Sequence, residues 1–239
     1  MYYNNNYRVF ICLQKGVVVK ETFKRLHWHL REEIFNTASL YKYVENFAIN
    51  NNFHESKLAL PFMKEKHEGQ YRNKPWFGSE HKVEYINHPL SMAKHSIALE
   101  IFDDNILASI LLHDVCEDCG VAYTDLPCND TVKEAVKLLS YNKNSELDKE
   151  ILKEIYYSNI SLNPIATIVK VLDRCNNISN MAASFHDTRL INYINDTQIY
   201  VFPLLEHIHS SHILSEAQTF LIQYQMFSII ESIKNMILR

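Results

Sequence analysis

At 239 residues and 28.1 kDa the chain is long enough to bury a full core, and 47% hydrophobic against 22% charged residues excludes a disordered or linker-dominated polymer. Only 4 Gly and 6 Pro lean the composition toward helices. A net charge of −4, from 24 Lys+Arg against 28 Asp+Glu, is too balanced to hold nucleic acid by the overall field, so an anionic small molecule needs a local basic pocket.

Residues 1–50 form an N-terminal extension whose one local signal is a short β-hairpin, with Val9, Phe10 and Ile11 facing Val17, Val18 and Val19 across Gly16. Its start lacks the basic end and apolar run of a secretory signal. The 5 Cys are scattered and odd in number, which argues against a disulfide framework and for a reducing compartment; the expected location is cytoplasmic. From Ser39 onward the period is helical, with Leu40, Tyr43, Val44 and Phe47 on one stripe, and Leu58, Leu60, Phe62 and Met63 open a second helix that Gly69 ends. The stretch 71–85 contains Pro75 and Gly78 and reads as a functional loop crowded with Arg72, Asn73, Lys74, Trp76 and His81.

Further along, Pro89 fits the first position of a helix, with His88 held extended before it. Residues 106–118 read as one helix capped by Gly120, and 106–112 is far shorter than the roughly 20 apolar residues of a membrane span, so no membrane association is expected. Thr131 with Glu134 predicts a helix start, Ser145 with Asp148 a looser one, and Asn163 before Pro164 a cap followed by an N1 proline. Further helices are expected over 197–210 and 215–238. No useful strand alternation follows residue 40. The expected fold is all-α, a helical bundle forming one domain over 51–239.

The segment Leu111-Leu112-His113-Asp114-Val115-Cys116-Glu117-Asp118 places four ionisable groups directly after an apolar run. On a continuous helix Glu117 lies four after His113 and Asp118 four after Asp114, so all four address one pocket. Burying such carboxylates unpaired is costly, which calls for a metal ion or a basic partner. His88, at a helix mouth, and Asp173, closing the apolar run 165–172, complete a mixed nitrogen and oxygen set with His113 and Asp114. That set suits Mn²⁺, Fe²⁺ or Zn²⁺, with Mn²⁺ the best match, and leaves the acid/base role to Glu117 and Asp118. Each histidine alone is more often a core or surface residue; only the combination reverses those odds. Cys116 and Cys119 form a nominal redox or zinc pattern without the surrounding βαβ unit, and His207, His209 and His212 read as a solvated helix face. The aromatic and Leu positions from Leu204 to Leu238 are core or a homodimer surface.

Four further stretches sharpen this. His67-Glu68-Gly69-Gln70-Tyr71-Arg72 is similar to H-x-G-Q-x-R, Tyr85-Ile86-Asn87-His88-Pro89 to Y-I-x-H-P, His113 to Val121 to H-D-x-x-E-D-T-G-V, and Val169 to Arg174 to V-K-L-A-D-R. Over about 56–205 the chain resembles the HD-domain (p)ppGpp hydrolases of the RelA/SpoT family, including the small stand-alone alarmone hydrolases of the metazoan SpoT homologue type. The resemblance implies an all-helical, Mn²⁺-dependent enzyme that removes pyrophosphate from the 3′ position of ppGpp or pppGpp. It places His88, His113, Asp114 and Asp173 on the metal and Glu117 and Asp118 on the nucleophile. Arg72 falls beside the nucleotide base, Asn177 near the ribose and phosphate, and Lys143 at a commonly basic position. No synthetase region follows residue 205.

The substrate shell departs from the pattern: Asn73 stands where the family carries Lys, Cys119 where Thr is common, and Cys175-Asn176-Asn177-Ile178 where L-H-N-M is usual. The same chemistry on an adenine alarmone or on the 2′-phosphate of NADPH therefore stays open. So does a non-catalytic alarmone sensor or a protein that neutralises a partner synthetase.

Overall fold

The run from Ile106 to Leu112 has no polar face to offer solvent, and in the computed structural model it becomes a helix buried on every side. The structure describes residues 32–73, 82–142, 146–181, 185 and 187–237. Two compact units are present, Met1–Asn36 and Thr37–Arg239. The hairpin signal at 9–19 lies outside the described residues.

The second unit begins with α1 (Thr37–Asn50) and α2 (His54–Lys66), followed by strands β1 (Tyr71–Asn73) and β2 (Lys82–Glu84). Next come α3 (Asn87–Ala98), α4 (Asp104–Leu112), the short α5 (Val115–Cys119), a 3₁₀ turn (Tyr123–Asp125), α6 (Asp130–Leu139) and α7 (Lys149–Ser161). The chain continues through α8 (Pro164–Met181), α9 (Asp187–Asp196), a π-helical turn (Thr197–Val201), α10 (Phe202–Ser210) and α11 (Glu216–Ile237). The all-α expectation holds. Helix α1, grouped by the sequence pattern with the N-terminal extension, packs on α2 and α3 within the second unit.

Two helices organise the bundle. Helix α4 packs against α2, α3, α6 and α8, and α8 in turn against α3, α4, α6, α7, α10 and α11. Leu107, Ile110, Leu111 and Leu112 of α4 and Val169, Val171, Leu172 and Ile178 of α8 are all but fully buried. Each such side chain contributes about 1.5–3 kcal/mol relative to exposure. The sheath is fastened by polar groups at helix starts: Asp103 caps α4 by accepting from Ile106 N at 2.9 Å, while Asp104 accepts from Glu55 N and Ser56 N, both at 2.8 Å. One carboxylate thus satisfies two orphan donors of α2 and ties that helix to α4.

Several boundaries differ from the sequence pattern. Helix α6 is capped two residues earlier than Thr131, by Asn129, whose Oδ1 accepts from Val132 N at 3.0 Å. Asn at the cap followed by Asp130 in the first turn outcompetes Thr131 because both complement the helix N-terminus. Asp148 itself caps α7, accepting from Glu150 N at 2.9 Å, and Ser145 lies outside the described residues. Asn163 before Pro164 caps α8 as expected, at 3.0 Å from Ala166 N. Ser215 and Gln218 form a reciprocal capping box at the start of α11.

Three differences bear on the site. The 71–85 loop contains a two-stranded antiparallel pair, Tyr71 with Glu84 and Asn73 with Lys82, whose three-residue strands are too short to show a period of two. Pro89 is the third residue of α3, not the first, so His88 is helical rather than extended. Proline's missing N–H costs nothing anywhere in the first turn, where those groups have no helical acceptor. Finally, 106–118 is not one helix: α4 stops at Leu112, His113 and Asp114 form a turn, and α5 closes on Gly120 in the left-handed region at φ 67°.

Candidate metal centre

Three separated elements deliver the ligand-bearing side chains to one point. The first turn of α3 carries His88, the turn between α4 and α5 carries His113 and Asp114, and the middle of α8 carries Asp173. The ligand atoms of His88, His113 and Asp114 lie within 4.8 Å of one another. Asp173 Oδ1 approaches His88 Nε2 at 3.2 Å and His113 Nε2 at 4.0 Å, while Asp114 Oδ2 stands 3.0 Å from His113 Nε2 and 3.9 Å from His88 Nε2. Both imidazoles are buried, their ring centroids 5.2 Å apart. Among the described residues no other group of His, Cys, Asp or Glu converges in this way.

The second contacts of these residues fix which atoms face inward. His113 Nδ1 lies 2.8 Å from the Ile110 carbonyl, which only accepts, so that nitrogen carries the proton and Nε2 turns to the cluster. This Nε2 is buried and has no hydrogen-bond partner despite the nearby carboxylates. His88 Nδ1 is held at 2.8 Å by Asn176 Oδ1. Asp173 Oδ1 accepts from Asn177 Nδ2 at 2.6 Å and its Oδ2 from Lys170 Nζ at 3.1 Å.

Electrostatics follow from that crowding. Burial disfavours the His113 imidazolium, but the carboxylates of Asp114 and Asp173 outweigh it and hold its pKa up to about 9. His88 goes the other way, lowered by burial and then by the Arg72 guanidinium. Burial raises the Asp114 and Asp173 carboxyls, yet His113 for the first and Lys170 for the second more than reverse this, and both are held well below the usual range. Two ionised carboxylates facing two imidazole nitrogens require a positive charge between them. In the bare protein a second proton on His113 supplies part of it. A divalent cation satisfies the whole set, including the orphaned Nε2, so the residues fit a metal ion of the kind that takes mixed nitrogen and oxygen ligands.

The acidic pair stands around this cluster, divided between two partners. Because α5 restarts after the His113–Asp114 turn, Glu117 and Asp118 do not continue the line of α4: Glu117 Oε2 accepts from Tyr141 N at 3.1 Å, while Asp118 Oδ2 accepts from Tyr85 Oη at 2.8 Å. Of the expected substrate-side residues, Arg72 on β1 reaches Asn177 Oδ1 at 3.4 Å, and Asn177 is bonded to Asp173 as well. Lys143 lies outside the described residues.

Three neighbours carry no role in the sequence pattern although two sit inside its motifs: Tyr85, Lys170 and Asn176. Arg174 is directed away from Asp173, with Nη2 at 2.8 Å from Tyr157 Oη and Nη1 at 3.2 Å from Thr197 Oγ1, so it holds α8 to the π turn. Cys116 and Cys119 are free thiols, and burial pushes Cys116 up to about 11, the opposite of a reactive thiolate.

No family model and no curated protein matches this chain. Among solved structures it is similar to a metazoan ortholog of SpoT, which hydrolyses ppGpp and plays a role in starvation responses. The match has a TM-score of 0.56 at 18% identity and spans 75% of this chain and 95% of the other. The two proteins share a fold. The all-helical HD-type bundle implied by the motifs is therefore the architecture observed. Among the described residues no helix is long and apolar enough to cross a membrane.

Proposed function

We propose that this chain is a Mn²⁺-dependent hydrolase that removes the 3′-pyrophosphate from ppGpp or pppGpp. The observation that carries the proposal is the convergence of His88, His113, Asp114 and Asp173, with the orphaned His113 Nε2 at its centre, in the fold of a protein that hydrolyses ppGpp. These four residues hold the ion. When bound, it lowers the pKa of water and offsets the charge that builds on the phosphate oxygens.

The chain's own groups do the rest. In the reaction a water oxygen bonds to the phosphorus attached to O3′, and the bond from that phosphorus to O3′ breaks. Asp118 takes the proton of the attacking water, and the acidic pair returns one to the departing O3′, leaving pyrophosphate and GDP from ppGpp. Glu117 is kept ionised and directed by the Tyr141 N–H, an arrangement that favours orienting the nucleophile over free rotation. Arg72 supplies a charged fork for the polyphosphate, and Asn177 joins that fork to the ligand Asp173.

Purified protein incubated with ppGpp and Mn²⁺ should release pyrophosphate, and Asp114→Ala should not. Adenine alarmone and NADPH run in parallel test the opening left by Asn73 at a family Lys position: preferential turnover of either transfers the same chemistry to that substrate. Tight ppGpp binding without any product, with Mn²⁺ bound, would replace the enzyme by a sensor.

A further inference from the structure

Tyr85 is the point where three motif segments meet, and nothing in the proposed chemistry assigns it a part. Its backbone N–H donates to the Gln70 carbonyl at 2.9 Å, and its own carbonyl accepts from His88 N at 3.0 Å. Its ring stacks on His67, centroids 4.6 Å apart and planes 22° from parallel, and meets the His88 ring edge-on at 6.5 Å. His67 is in turn buried and fixed by Gln70 Oε1 at 2.8 Å from Nδ1. The phenol is therefore immobilised at both ends of its bonds to the chain and along one face.

From that anchorage the hydroxyl reaches two carboxylates at once, Asp114 Oδ2 at 2.7 Å and Asp118 Oδ2 at 2.8 Å. The two acids differ in every other respect. Asp114 is partly buried and directed at the imidazoles, whereas Asp118 is exposed on a helix of five residues, too short to hold its own geometry. An exposed aspartate in that position samples several rotamers unless something selects one. We propose that Tyr85 is the positioning residue of this site: its hydroxyl sets the Asp118 carboxylate at a fixed place beside the ligand Asp114, and so converts a surface acid into one aligned with the metal. Tyr85 acts through these two carboxylates and touches no reacting atom. The inference rests on the metal-dependent reading of the cluster.

A double-mutant cycle tests it, with Tyr85→Phe, Asp118→Ala and the double variant compared with the unchanged protein for Mn²⁺ affinity by calorimetry and for kcat and KM on ppGpp. Phenylalanine keeps the ring stacked on His67 and removes only the oxygen. Y85F should lower kcat by about 10–100-fold with little change in KM, and weaken Mn²⁺ binding, as loss of a group behind a metal ligand does. The double variant should turn over no more slowly than D118A, and the effect of D118A on the Mn²⁺ dissociation constant should shrink once the hydroxyl is gone, because the link between the acids is already cut. Multiplicative effects in both readouts, or a Y85F protein indistinguishable from the parent, would overturn the proposal. D118A changes an exposed side chain and carries little folding risk, so a Mn²⁺ affinity unmoved by it in the parent background counts against the bridge even if Y85F proves unstable. If the parent turns over no ppGpp, the proposed substrate fails, while the Mn²⁺ cycle still decides for or against the bridge.

Discussion

The inner cluster and its rim are built by different rules. Each inner residue is held twice, once by the helix or turn that carries it and once by a side-chain or carbonyl partner: His88 by Asn176, His113 by Ile110, Asp173 by Asn177 and Lys170, Asp114 by Tyr85. At the rim, Arg72 sits on a three-residue strand with one contact of 3.4 Å to Asn177, and Asp118 is exposed on a five-residue helix. Rigidity is concentrated where charge must be placed and relaxed where a substrate must fit. Changes at the rim are then expected to alter which molecule is used and how well, and changes inside to decide whether any reaction occurs.

Breaking the inner cluster should have the largest effect. Asp114→Ala or Asp173→Ala is expected to abolish both Mn²⁺ binding and ppGpp hydrolysis, checked by calorimetry beside a pyrophosphate assay. Retained binding in D173A would move Asp173 from the inner class to the rim. Asp118→Asn should come next, lowering kcat by roughly 10²–10⁴-fold, the span of a lost general acid or base, with Mn²⁺ still bound. Asn176→Ala removes the partner of His88 Nδ1 and should cost about 10–100-fold in metal affinity or rate, read as a shift in the Mn²⁺ concentration giving half-maximal activity. Arg72→Ala should act mainly on KM, raising it about 10-fold or more if a charged hydrogen bond of about 1.5–3 kcal/mol is lost, and steady-state kinetics will separate this from kcat. At the outer limit, His209→Ala on the exposed face of α10 should leave turnover unchanged and stability within about 0.5 kcal/mol in urea unfolding.

The same division governs what was legible in the sequence. Ligand residues announce themselves because they interrupt apolar runs, as His113 and Asp114 do after Leu112 and Asp173 after Leu172, and a buried charge has few explanations. Helix existence was legible for the same reason, since α4 and α8 are long in Leu, Ile and Val. What the pattern missed was local and directional. The break between α4 and α5 has no proline or glycine at it; it arises where His113 turns back on the Ile110 carbonyl, a tertiary arrangement with no composition signal. Consequently the i to i+4 alignment that grouped Glu117 with His113 does not describe the protein. Tyr85 was visible only as a letter of a motif, because a tyrosine before a helix is equally at home as a core residue.

That His113 contact has one more consequence. The last turn of any helix leaves carbonyls without donors, and at the end of α4 one of them, Ile110, is met by the imidazole itself. Helix termination and ligand orientation are thus a single event: the chain cannot stop α4 in this way without also choosing which nitrogen stays bare. Folding does the selecting in advance, and an arriving cation has no ring to turn.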